Sequence, residues 1–125
     1  MKKEFNDLDW HDAELQSIYI DRSIPGESDQ VVLNIRWPNA IKSEVIFNDC
    51  YAFKALMNFG IVVAEETIRD ADFIEHSEEL NEIRRTWEKV DVDLSGLRQY
   101  QIETNSTNSM LKIFARSMNI KDSKD

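Results

Sequence analysis

Gln30-Val31-Val32-Leu33-Asn34-Ile35-Arg36-Trp37 is the stretch from which the fold can be read. Val31, Leu33, Ile35 and Trp37 alternate with Val32, Asn34 and Arg36, and a period of two sends the first set to one face of a strand. Residues 15–22 repeat the pattern upstream, with Leu15, Ser17 and Tyr19 on one side and Gln16, Ile18 and Ile20 on the other. Between them lies a loop containing Pro25-Gly26, a pair that sets one φ and frees the next. The two strands therefore read as a hairpin with a long loop. Pro38-Asn39 ends the second strand, since proline donates nothing to a ladder. A third strand is expected over 41–48, with Ile41, Ser43, Val45 and Phe47 sharing a face.

Further along, Asn48-Asp49 predicts a cap for a short helix over 50–58, with Phe53, Leu56 and Met57 on its apolar face and Gly60 as its stop. Ile61-Val62-Val63-Ala64 opens an expected strand over 61–68. A longer helix is expected over 78–89. Ser77 is its N-cap, Glu78 and Glu79 meet the unpaired amides of its first turn, and Leu80, Ile83, Trp87 and Val90 follow helical spacing. Two final strands are expected at 97–104 and 110–118. In the second, Leu111, Ile113 and Ala115 oppose Met110, Phe114 and Met118. The order β-β-β-α-β-α-β-β predicts an α+β fold, with a largely antiparallel sheet of five to six strands, one long helix and one short one. A single domain is expected over 1–120, followed by a frayed tail over 121–125.

The 125 residues fit one domain. With 42% hydrophobic residues they can fill one core, so no disulfide is needed. Cys50, the single cysteine, lies among Phe47, Tyr51 and Phe53 and reads as a small buried hydrophobe rather than a nucleophile. Lys2 and Lys3 are followed by Glu4, Asp7 and Asp9 where a signal peptide would turn apolar, and no stretch is apolar enough to span a bilayer. The expected location is cytoplasmic, away from any membrane. The 24 acidic residues against 15 basic ones give a formal charge of −9. That balance opposes binding of nucleic acid, which needs clustered Lys and Arg, and favours encounter with a basic protein.

The densest group of possible catalytic side chains is Asp7-Leu8-Asp9-Trp10-His11-Asp12-Ala13-Glu14. A carboxylate beside an imidazole can orient the ring or shift its pKa, so His11 and Asp12 are the candidates for a small hydrolase or a metal-dependent enzyme. The competing reading is structural: Asp12 or His11 caps the entry to the first strand while Trp10 anchors it. Asp91-Val92-Asp93-Leu94-Ser95-Gly96 matches the opening of a calcium loop, but position twelve is Ile102 instead of Glu, so the segment reads as an ordinary loop. His76 reads as exposed or as a cap. No metal or cofactor fingerprint is present, so neither is expected. A second acidic region runs through Glu65, Glu66, Asp70, Asp72, Glu75, Glu78 and Glu79. Glu65, Glu66, Asp70, Asp72 and Glu75 are candidate contacts for a basic protein, with Phe73 as their apolar anchor. The alternative is a solvated connection whose hydrophobes pack inward.

Trp10-His11-Asp12-Ala13-Glu14-Leu15, followed by Ile18, resembles the Trp/Phe-His-Asp opening of small bacterial proteins grouped as immunity proteins of polymorphic toxin systems, or as their relatives. Val45-Ile46-Phe47-Asn48-Asp49-Cys50 and Leu111-Lys112-Ile113-Phe114-Ala115 resemble their strand segments. The resemblance implies a compact α+β protein that inhibits a toxin by stoichiometric binding. A non-catalytic structural or regulatory subunit is the third expectation.

Overall fold

The computed structural model describes residues 2–60 and 64–122. Among them the chain forms α1 (Lys2–Asn6), β1 (Glu14–Asp21), β2 (Gln30–Arg36), β3 (Lys42–Leu56), β4 (Ile68–Ile74), α2 (Glu78–Glu88), β5 (Arg98–Thr104) and β6 (Met110–Asp122). All six strands join one antiparallel sheet in the order β1-β2-β3-β6-β5-β4. The fold is thus α+β, with one longer helix and one short one.

The sheet curls until its two edge strands meet. The Leu15 amide donates to Glu66 O, the Ile68 amide to Ala13 O and the Asp12 amide to Ile68 O, all at 2.8–2.9 Å. The result is a partly closed barrel. Its inner face holds Val31, Leu33, Ile35 and Trp37 together with Leu15, Val45, Phe47, Ile102, Leu111 and Ile113. The alternation of β2 is therefore realised as read. In β1 a bulge between Leu15 and Ser17 resets the alternation, so Leu15 and Ile18, paired with Ile35 and Leu33, share the inner face.

Helix α1 lies against β4, with Phe5 fully buried among Trp10, Phe73 and Tyr100. Helix α2 packs on the outer face, where Leu80, Leu94, Leu97 and Phe114 form a second, smaller cluster. Its N-terminus is the one expected: Ser77 Oγ accepts from the Leu80 amide at 3.0 Å. Ser77 also donates to the buried Gln99 at 2.6 Å, which ties the cap to β5. Val90, expected on the apolar face of α2, lies beyond its end and is exposed.

Several expectations need correction. Residues 50–58 are not a helix stopped by Gly60, because β3 runs on to Leu56. Cys50 pairs with Ala115, Ala52 with Phe114 and Phe53 with Ile113. The helical spacing of Phe53 and Leu56 loses to a long partner strand that offers residues 50–56, all but the bulged Tyr51, a cross-strand neighbour. Asp49, at φ 53°, marks the place where the two strands change parity. Phe47 and Met118 are inward on one side of it, and Cys50 and Ala115 on the other. Met118 is therefore on the inner face, with Ala115 instead of opposite it.

Of the strand expected over 61–68, residues 61–63 lie outside the described residues. Residues 64–67 form only an isolated bridge at Thr67, and β4 begins at Ile68. Lys121 and Asp122, expected to fray, pair with Glu44 and Ser43 at the end of β6, and the rest of that tail lies outside the described residues. The short helix α1 replaces the one expected after β3.

Candidate protein-binding face

Helix α2 covers only part of the outer sheet face. Beyond it, register alone places two rows of side chains across four strands. One row runs Lys54, Lys112, Gln101, Asp72, and the next runs Leu56, Met110, Glu103, Asp70. Each row changes character from β3 to β4, the first from basic to acidic and the second from apolar to acidic.

Ion pairs organise this surface. Glu79 of α2 accepts from Lys112 at 2.6 Å and from Lys54 at 2.9 Å, so both lysines are drawn towards the helix. These contacts hold the Glu79 carboxyl below its ordinary pKa. Arg69 reaches Glu103 at 3.2 Å and Asp70 at 3.5 Å. Asp70 and Glu103 share Arg69 as their basic partner, Asp72 makes no ion pair among the described residues, and the acidic sign prevails at the β4 side of the face.

The candidate contacts are thus divided. Asp70 and Asp72 stand exposed on the outer face of β4, while Glu65 is exposed just before it. Glu66 is half-buried and turned to Thr107, whose hydroxyl and amide both donate to it. Glu75 is half-buried at the far end of β4. Phe73 does not serve as an outward anchor, because its ring meets Tyr100 at 5.3 Å and Phe5 at 6.5 Å on the inner face. The exposed apolar side chains nearest this region in sequence are Leu56, 66% exposed, and Phe59, 87% exposed. The helix expected over 50–58 puts Leu56 on its apolar face and stops short of Phe59, so neither reads as exposed from the sequence. Phe59 also borders an apolar groove of about 420 Å³ with Leu15, Ile18, Met57 and Glu66.

His11 and Asp12 sit on an exposed turn, 76% and 66% exposed, with 3.6 Å between Nε2 and Oδ2. They border neither the Phe59 groove nor a larger cleft beside Cys50. His11 Nδ1 lies 3.3 Å from Arg69 O, and Asp12 adopts φ 67° while its amide holds Ile68 O. Both therefore help to join the two sheet edges rather than cap β1. Trp10 is the expected anchor: it is buried, its Nε1 donates to Phe5 O at 2.8 Å, and its ring meets Trp37 edge-on.

Cys50 is half-buried, and burial above all pushes its thiol up to about 11, which removes it as a nucleophile near neutrality. The Asp91–Gly96 segment is a turn in which Asp93 accepts from the Ser95 amide and Arg116 holds Asp93 O. His76 is exposed. Among the described residues no three His, Cys, Asp or Glu side chains converge as metal ligands, and no helix is long and apolar enough to cross a membrane. No family model and no curated protein matches the chain.

Proposed function

We propose that this chain is a stoichiometric protein-binding inhibitor, an immunity protein that occludes a basic toxin domain in the cytoplasm. The observation that carries the reading is the part of the outer sheet face left uncovered by α2. There Leu56 and Met110 adjoin Glu103, Asp70 and Asp72 across paired strands. Such a face joins the two ingredients of a durable complex: carboxylates that steer a cationic partner and apolar groups that slow its release. Strands hold these side chains in fixed register, so little order is lost on binding.

The test begins with affinity capture of a basic protein by the purified chain at low and moderate salt. Changing Glu65, Glu66, Asp70, Asp72 and Glu75 together to the corresponding amides is expected to weaken the captured complex by about tenfold or more, mainly through slower association, and to flatten its salt dependence. Unchanged affinity in the folded variant rejects this face.

A further inference from the structure

We propose that the cleft between the β1–β2 loop and the C-terminal end of α2 binds an organic monocation: an alkyl- or arylammonium, or a guanidinium, carried on an apolar stem. The site goes beyond the protein-binding face and uses other residues. The cleft has a volume of about 570 Å³, within the range of small-molecule pockets. Tyr51, Phe53 and Trp87 supply aromatic walls, Ile20 and Val31 an apolar side, and Asp49 an exposed carboxylate.

A bulge between Cys50 and Ala52 creates this combination. It leaves Tyr51 on the outer face and Phe53 on the inner face at one opening, and Tyr51 meets Trp87 edge-on at 5.1 Å.

The sign of the ligand follows from the charges around the cleft. Arg22 is matched by Asp29 at 2.8 Å, and Asp29 also accepts from the Gly26 amide. Asp49 makes no ion pair among the described residues. Arg116 sits 5.6 Å from the centre of the Tyr51 ring and is tied to Asp93 O, so that ring face already holds a cation and Phe53 and Trp87 are left to meet the ligand's charge. Deep in the cleft, the Asp29 and Asp49 charges add to burial in opposing a Cys50 thiolate. With Arg22 and Asp29 matched, the Asp49 carboxylate at the cleft favours a cation, and the aromatic walls select one with an apolar body.

Three shape-matched probes test this on the full chain: phenethylammonium, 2-phenylethanol and 3-phenylpropionate, followed by NMR at the Trp87 indole and the Tyr51 ring. The ammonium is expected to bind about tenfold tighter than the alcohol and to shift both signals. Asp49→Asn, in which Asn tolerates the left-handed φ at this position, is expected to remove most of that preference while circular dichroism stays unchanged. A blocked Gly-Arg-Gly peptide separates two sources of the cation. Binding of the ammonium alone assigns a free amine, and binding of the arginine peptide assigns a side chain of another protein. Equal affinity for ammonium and alcohol, preference for the carboxylate, shifts centred elsewhere, or binding of neither cation overturns the proposal.

Discussion

Tyr100 places a hydroxyl where no described residue answers it. The side chain is fully buried among Phe5, Phe47 and Phe73, and Oη has no hydrogen-bond partner among the described residues. Burial pushes the phenol up to about 12, so it stays neutral at ordinary pH. A buried hydroxyl without a partner costs about 1–3 kcal/mol of lost hydration. Tyr100→Phe is therefore expected to leave stability unchanged or raise it by about 1 kcal/mol in urea unfolding. A loss above about 2 kcal/mol would mean that the hydroxyl is satisfied after all. The carboxylates tell a different story at this scale. Asp21, Asp29 and Asp93 are each held below their ordinary pKa by hydrogen bonds, to Ser23, to Arg22 and Gly26, and to Ser95 respectively. Three carboxylates thus build turns instead of facing a partner.

At the scale of elements, Glu79 joins α2 to β3 and β6. Its folded pKa lies below the unfolded one because Lys112 and Lys54 hold the charged form. The stabilisation is therefore fully present above the ordinary carboxylate range and is lost as pH falls through the depressed folded value. All three groups remain partly exposed, which limits the pair energies to below about 1 kcal/mol. Glu79→Gln is expected to lower stability at pH 7 by that order and to flatten the acid limb of the stability profile, measured by urea unfolding across pH. An unchanged acid limb would show that α2 is held by Leu80 and its apolar neighbours alone.

At the scale of the molecule, closure of the sheet depends on a segment too short to be a helix by itself. Five residues of α1 cannot repay helix nucleation, so packing of Phe5 must hold them in place. Phe5 touches Trp10, Phe73 and Tyr100, and so links the N-terminus to both β4 and β5. Phe5→Ala is expected to cost about 3–5 kcal/mol in thermal or urea unfolding. The amides of Asp12, Leu15 and Ile68, which join the edges, should then exchange with solvent faster than those of β6. Protection retained at these three amides would show that the edge hydrogen bonds close the barrel without α1.

The alternation in β2 and the first half of β6, the existence of β5, and the Ser77-led helix could be read locally, because each depends on the spacing of a residue from its own neighbours. The acidic character of β4 could be read for the same reason. Which way Phe73 points could not, since Phe5 and Tyr100, distant in sequence, supply the aromatic surface that draws it inward. Nor could the end of β3, where helical spacing and strand spacing both fit and only the length of β6 decides between them. The bulge in β1, the parity change at Asp49 and the meeting of β1 with β4 each shift side chains from one face to the other. Sequence by itself determined most of the strands, the longer helix and the sign of the charge. Tertiary structure decided which groups share a surface, because a sheet face is assembled from strands whose register no single strand encodes.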